Sequence, residues 1–405
     1  MHEKIVFSTL LWYNKKKLKL QQGENEMGIY LNPENVDFQE VLNSKIYIDK
    51  SELIQYTNSV LRTTQKYICV SRPRRFGKSM AANMLTAYYS RGCDSRGLFQ
   101  GLKIATHPDF EKYLNQYNVI HLNMRDYLTE SENMKQLIQF VEDDLLDELQ
   151  QEFSDLRMPR RKTLVKVLEQ AFAQYKIPFV FIIDEWDCIF RVHKSDAASQ
   201  KDYLDFLRNL LKDKSYIALA YMTGILPIKK YGEHSAINVF YEYSMIDASP
   251  IEEFTGFTEQ EVRQLCEQYE MPFSETKKWY DGYCVDGVSI YNPKSVVEAM
   301  LRGKFSNYWT QTETYEALKI YIQSNEFGVQ DVILKLLAGE KEKIDTTTFS
   351  NDMVTFATKD DVLTLLVHLG YLTYNAETKE IWIPNYEVME QFISTVRVMG
   401  WGSVV

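Results

Sequence analysis

Two short stretches of this 405-residue chain carry side chains suited to phosphate chemistry. The first, SRPRRFGKSM (residues 71–80), sets Gly77, Lys78 and Ser79 in a row. A glycine lets the backbone come close to an anion, a lysine brings a cation to β- and γ-phosphates, and a serine hydroxyl ligates Mg2+. The usual spelling, G-x-x-x-x-G-K-[ST], is broken at its first glycine, where Arg72 stands before Pro73. That glycine mainly shapes the turn, so its loss weakens the pattern without removing a reacting group. The expected nucleotide-binding segment is Arg74, Arg75, Phe76, Gly77, Lys78, Ser79 and Met80. Its successive backbone N–H groups and helix start would face the phosphates. Arg74 and Arg75 are open between two roles: contact with phosphates or a partner's nucleotide, and bracing of the loop against acids such as Asp187.

Three residues in a row recur by chance, so the second stretch decides. FVFIIDEWD (179–187) is an apolar run ending in Asp184 and Glu185. At the C-terminal end of a buried strand beside the loop's own strand, the first acid can hold Mg2+ and the second can activate water. The bland alternative is a strand end with solvated acids. Paired with a GKS that also falls at a strand–helix junction, it loses ground. The expectation is that Lys78 and Ser79 converge with Asp184 and Glu185 from neighbouring parallel strands around one Mg-triphosphate. Thr223, at the end of ALAYMTGI, is placed to sense the γ-phosphate and orient water, or else belongs to a Thr-Gly turn. Asp187 is a supporting acid or a helix cap.

These positions need elements to hold them. KIYIDKSELIQYTNSVL predicts a short strand and then a helix capped near Asp49 or Ser51. KYICV predicts the strand before the loop, and KSMAANMLTAYYS a helix with Met80, Met84 and Leu85 on one side. YNVIHLNMRDY is a further strand, and MKQLIQFVEDDLLDELQQEF an amphipathic helix with Leu137, Ile138, Val141, Leu145 and Leu149 inward. The basic stretch RMPRRK (157–162) reads mainly as a solvated helix start. TLVKVLEQAFAQY and YLDFLRNLLKD are helical, and SYIALAYMTGI is a buried strand. Non-alternating strands separated by helices indicate an α/β fold, a parallel sheet covered on both faces. After about residue 250 the pattern turns helical. TKDDVLTLLVHLG runs into two short strands, YLTYNAETKEIWIPN, which suggests a winged-helix-like end.

The bulk numbers exclude several classes. Net charge is −10, which argues against whole-surface attraction to nucleic acid. The five cysteines are scattered without C-x-x-C or metal-ligand spacing, which fits a reduced, cytoplasmic setting. No apolar run reaches the roughly 18 residues of a membrane span. IVFSTLLWY near the start is followed, not preceded, by its lysines, against a signal peptide. Residues 1–27 read as a leader or disordered extension, with the true start open between Met1 and Met27.

YIDKSELI, SRPRRFGKSM, FIIDEWD, MTGILPIKK, GFTEQEV, WYDGY, YNPKSV, GKFSNYW and HLGYLTY…IPNYEV follow one another in this order. Together they resemble the bacterial AAA-ATPase-like family often fused to a C-terminal PD-(D/E)XK nuclease-like domain, over roughly residues 28–395. In that family the loop itself reads R-P-R-R-F-G-K-S. The resemblance implies ATP and Mg2+ as ligands and supports Asp184 and Glu185 as the Mg2+ and water-activating acids. It implies a P-loop core over 28–248, a helical region over 249–345 and a winged-helix-like region over 346–405. Mobile-element or defence settings are also implied by resemblance alone. Family members usually continue past IPNYEV into the nuclease-like domain. Here the chain stops at Val405 with no D-x(n)-E-x-K constellation, so no nuclease activity is expected. Lys294 is a candidate sensor from the second region, and Trp279 and the nearby tyrosines are expected to pack as core. The function expected is an ATP-hydrolysing switch. A non-hydrolysing nucleotide-gated module and a nucleic-acid binder using the winged-helix-like end stand as alternatives. A guanine-reading N-K-x-D is absent from the expected region. Homo-oligomers and DNA or protein partners stay open.

Overall fold

A computed structural model describes residues 28–228, 237–309, 326–350 and 356–398. The N-terminal leader, the Met27 start, the two lysines ending MTGILPIKK and the residues after 398 lie outside them. The centre is a five-stranded sheet: β1 (Tyr67–Ser71), β2 (Asn118–Asn123), β3 (Phe179–Asp184), β4 (Ile217–Gly224) and β5 (Tyr241–Tyr243). Its order is β2-β3-β4-β1-β5, and every pairing is parallel.

Both faces are covered, as continuous apolar strands require. Along β1, Tyr67 and Cys69 join one apolar cluster while Ile68 and Val70 join the other; along β3, Phe179, Phe181 and Ile183 alternate likewise with Val180 and Ile182. The principal helices of this part are α1 (Val36–Leu42), α2 (Leu53–Val60), α3 (Lys78–Tyr89), α4 (Met124–Glu130), α5 (Met134–Glu152), α6 (Leu164–Tyr175) and α7 (Ala197–Leu211). α3 packs on the Ile68 face; α5, α6 and α7 pack on the Tyr67 face through rows such as Leu137, Val141, Leu145 and Leu149.

The C-terminal part holds α8 (Glu259–Gln268), α9 (Phe273–Tyr280), α10 (Pro293–Arg302), α11 (Val329–Leu337), α12 (Lys359–Leu369) and α13 (Tyr386–Val398). It also holds two small sheets. The first orders β6 (Phe257–Thr258), β8 (Val288–Tyr291) and β7 (Tyr283–Val285); the second orders β10 (Thr373–Asn375), β11 (Glu380–Trp382) and β9 (Glu342–Lys343). α12, the β10–β11 hairpin and α13 follow the helix-then-hairpin pattern expected of the chain's end.

Four sequence expectations need correction. β4 lies between β1 and β3, so the acids and the GKS loop stand on strands that are not neighbours. Residues 46–50 form no strand and pair with no ladder partner. Met80 does not share the inward side of α3, because it is 41% exposed while Met84 and Leu85 are buried. The region after 250 contains the β7–β8 hairpin, turned by Asp286-Gly287 with φ of 48° and 79°. That pair suits a tight hairpin turn and was a readable signal.

The loop after β1 is fastened to the C-terminal part at three points. The Phe76 ring meets the Tyr283 ring edge-on at 5.2 Å. Arg75 Nη1 donates to the carbonyls of Tyr308 (2.9 Å) and Trp309 (3.2 Å). Pro73 packs on Gly370, where an added Cβ would stand 2.8 Å from the proline ring and φ is 85°. Behind Arg75, the amides of Tyr308 and Trp309 donate to Glu387 Oε1 at 2.6 and 2.9 Å, and Ser295 Oγ donates to the same carboxylate.

Burial pushes the Glu387 carboxyl up to about 7, against the opposing pull of those donors and of Arg75. The folded chain therefore keeps a proton there that the unfolded chain releases near its ordinary 4.5. This group's contribution to stability is complete below about 4.5, declines as pH rises towards about 7, and is gone above. Urea midpoints of the parent and of Glu387→Gln, measured from pH 5 to 8, are expected to differ in slope. The glutamine variant should lose less stability over that rise, and parallel curves would remove Glu387 as the source.

Candidate functional site

The backbone from Arg72 to Gly77 turns the chain from β1 into α3. Gly77 caps α3 at φ 85° and ψ 14°, a conformation that favours glycine. No heavy atom lies within 4 Å of where its Cβ would stand, so a hollow opens there over the helix N-terminus. Such a hollow, lined by unpaired first-turn amides, suits an anion.

Arg72, standing where the first glycine was expected, does not face this hollow. It is 1% exposed, and its Nη1 donates to Ser71 O (3.0 Å) and Tyr243 O (2.9 Å). Its amide donates to Gly224 O at 3.1 Å. The side chain thus ties the loop to β5 while the backbone ties it to β4, and burial pushes the guanidinium down to about 10.

Lys78 is 6% exposed and folds back to donate to the carbonyls of Arg72 and Pro73, each at 2.9 Å. Burial pushes its ammonium down to about 8, while the charges of Glu185, Asp184 and Asp187 act to hold the proton on. Those carboxylates therefore stand close enough to the loop lysine to act on it, although β4 intervenes. Ser79 is exposed at the first turn of α3.

Asp184 is 5% exposed at the end of β3. Its Oδ1 accepts from the Glu185 amide at 2.9 Å and from the Thr223 hydroxyl. Thr223 is fully buried and reaches the site only through Asp184. Glu185 sits at φ 54°, which swings its side chain out of the strand's course. Its carboxylate pairs with Arg191, whose Nε also donates to Asp187 Oδ2 at 3.1 Å. Asp187 is fully buried and accepts from the amides of Ile225 (3.0 Å) and Leu226 (2.8 Å). So Asp187 anchors Arg191, and Arg191 holds Glu185. Burial pushes the Glu185 carboxyl up, but the Arg191 and Lys78 charges outweigh it and hold the group below the usual carboxylate range.

A cavity of about 1060 Å³ opens over the loop. Arg74, Arg75, Phe76, Gly77, Lys78, Ser79 and Met80 all line it, as does Glu185; Thr223 and Asp184 stand behind that lining. Phe76 and Arg75 face it only in part, since their side chains are fastened to Tyr283 and to residues 308–309. The far wall is apolar, made by Val41, Ile46, Ile48, Phe257, Val297 and Leu301. A cavity of this size with a polar floor and an apolar wall suits a flat base joined to phosphates. Lys294 lines the cavity but pairs with Glu298. Its neighbour Asn292 caps α10, accepting from the Lys294 amide at 3.0 Å. Trp279 packs edge-on against Tyr386 at 4.7 Å, and Tyr280, Tyr283 and Tyr291 are buried, in keeping with packing roles.

Arg125, Arg191 and the apolar wall lie outside the residues expected from the sequence. Arg191 had a weak signal, four residues after Asp187 on a helical turn. The wall had none, since it joins residues 41–48 to 257 and 297–301 only through folding. Among the described residues no cluster of three or more His, Cys, Asp or Glu could hold a metal by itself. A Mg2+ held by Ser79 and Asp184 would need phosphate and water ligands as well, which is its usual habit. All five cysteines are free. Among the described residues no helix is long and apolar enough to cross a membrane.

Residues 36–232 match the AAA-ATPase-like family model, described as "Predicted AAA-ATPase". A curated relative, the "Uncharacterized protein in vnfD 5'region" of Azotobacter chroococcum mcd 1, is 25% identical over 257 residues. The alignment spans 60% of this chain and 47% of that protein, so the chain matches about half the relative's length. Among solved structures, the Aeropyrum pernix ORC2 protein in its ADPNP–ADP complexes is similar at 12% identity and a TM-score of 0.36, covering 88% of this chain and 98% of that one. CDC6P from Pyrobaculum aerophilum gives 10% and 0.28 over 86% and 93%. AMPPCP-bound DnaA from Aquifex aeolicus gives 7% and 0.25 over 88% and 90%.

Proposed function

From the match of residues 36–232 to the model of predicted AAA-ATPases, we propose that the chain binds Mg-ATP in the cavity over the β1 loop and hydrolyses it. The observation that carries this is that Lys78, Ser79 and Glu185 line one cavity, beside an open hollow at Gly77, with Asp184 next to Glu185 at the end of β3. The loop amides and the start of α3 cradle the β-phosphate. Lys78 exchanges the carbonyls of Arg72 and Pro73 for phosphate oxygens. Ser79 and Asp184 hold Mg2+, which when bound offsets the charge of the β- and γ-phosphates. Glu185 takes the proton of the attacking water. Thr223 acts as a positioning residue by fixing Asp184, rather than as a contact to the γ-phosphate. The apolar wall takes the adenine.

Nucleotide state reaches the C-terminal part through the loop's own fastenings at Pro73, Arg75 and Phe76, which makes the chain a switch. The units that shift would be the core of 28–248, the region of 249–345 and the end of 346–405. A second reading, a module that holds ATP and barely turns it over, is favoured by the Glu185–Arg191 ion pair, which occupies the base.

The test is a titration of the purified chain with a fluorescent ATP analogue, followed by phosphate release with Mg2+ and with excess EDTA. Binding with Mg2+-dependent release is expected. Binding without release at any protein concentration, with or without DNA, selects the second reading. No measurable affinity for adenine nucleotides ends both.

A further inference from the structure

Arg125 has no part in the arrangement so far, yet it lines the same cavity as Lys78, Ser79 and Glu185. Its position is fixed. Across the sheet, Asn123 at the end of β2 stands in register with Asp184 at the end of β3. The Asn123 side chain then caps α4 by accepting from the Arg125 amide at 3.1 Å. Arg125 is therefore two residues beyond the lateral neighbour of Asp184, on the acid side of the cavity and across from the apolar wall. The Asp126 carboxyl beside it is itself within reach of the Asp184 charge.

Four other cations around the cavity are already engaged. Lys50 is held by Glu261 and the Glu253 carbonyl, Arg75 by two carbonyls, Lys294 by Glu298, and Lys78 by the loop. The Arg125 guanidinium has no hydrogen-bond or ion-pair partner among the described residues. An arginine that is exposed, lines the same cavity as Lys78 and Glu185 and is not already paired can bind an anion without first breaking an ion pair.

We propose that Arg125 is a further catalytic residue of this site, contacting the terminal phosphoryl group in cis from the acid side. The inference rests on the nucleotide-hydrolysing reading of the same cavity. In the step it serves, water forms a new bond to the γ-phosphorus and the bond from that phosphorus to the bridging oxygen of ADP breaks. The water's proton passes to Glu185, and ADP leaves with the bridging electron pair. Negative charge spreads over the γ-oxygens and the bridging oxygen, and a planar guanidinium offers two parallel donors to it. With this arginine supplied by the chain itself, a single copy would carry a full set of groups and would not depend on a neighbour's arginine.

The test compares the parent with Arg125→Ala, Arg125→Lys and Lys78→Ala in ADP titrations, single-turnover ATP hydrolysis and turnover per chain over a range of protein concentrations. Arg125→Ala is expected to lower the single-turnover rate by roughly 10³-fold and to leave ADP affinity within about threefold, since ADP lacks the contacted group. Arg125→Lys should recover part of the rate. Parent turnover per chain should not rise with concentration. An Arg125→Ala variant that hydrolyses at the parent rate overturns the inference. So does parent turnover that appears only on self-association, or a parent that binds ATP without hydrolysing it. Failure of the underlying reading is distinct: the parent would bind no nucleotide, and Lys78→Ala would change nothing.

Discussion

Glu185→Gln is expected to leave Mg-ATP binding within about threefold of the parent and to slow the single-turnover rate by about 10²- to 10⁴-fold, the range for loss of a positioned general base. Glutamine keeps the volume of the side chain and its backbone at φ 54°, so the cavity keeps its shape. What it loses is the charge that accepts the water's proton. Arg191 does not collapse with the change, because Asp187 still holds it, and Asp187 is itself fixed by the amides of Ile225 and Leu226. Binding measured by nucleotide titration and hydrolysis measured by rapid quench separate the two effects. A variant that turns over like the parent would take the base away from Glu185. A variant that fails to bind would mean the carboxylate belongs to the binding set instead.

Lys78→Ala is expected to weaken adenine-nucleotide affinity by at least about 10²-fold. Charge-assisted hydrogen bonds contribute about 1.5–3 kcal/mol each, and Lys78 has two donors, held by the Arg72 and Pro73 carbonyls, to exchange for phosphate oxygens. The side chain also caps the carbonyls of Arg72 and Pro73, so its removal can loosen the loop. Lys78→Met controls for this: it restores the buried stem without the charge, and thermal melts of both variants report folding. Equal loss of affinity in both, with melting unchanged in the methionine variant, assigns the effect to the ammonium. Unchanged affinity in the methionine variant would show that the cavity does not bind phosphates through Lys78.

The tie between the loop and the C-terminal part gives these two variants a further use. Phe76, Arg75 and Pro73 reach Tyr283, residues 308–309 and Gly370 while Lys78 and Ser79 remain on the cavity side. A nucleotide that moves the loop must strain or break these contacts. Proteolysis patterns with and without ATP, in the parent and in the non-binding Lys78→Met, therefore report on the switch itself.

Much of this was readable in the chain. KYICV, FVFIID and IALAYMTG lack alternation because both of their faces are buried, and that alone predicts a two-sided parallel sheet. GKS at a strand-to-helix junction and two acids at a strand end follow from local pattern, since Gly77, Lys78 and Ser79 act through backbone and side chains a few ångströms apart in the chain. Local pattern also fixed the helices with clear apolar rows, as along 137–149. The Asp286-Gly287 hairpin turn is equally local in character.

Other features could be decided only by the fold. Strand order is a long-range choice, so nothing in β1 or β3 tells that β4 inserts between them and that its Thr223 reaches Asp184. The buried course of Arg72 depends on carbonyls at Ser71 and Tyr243. The Arg191–Glu185 pair depends on amides at 225–226 that hold Asp187. Arg125 acquires its place from a register between β2 and β3. Sequence periodicity reports which face of an element is apolar, because burial of that face is a local demand. It carries no information about which distant partner satisfies a given donor or charge, because that pairing exists only once the strands have been ordered side by side.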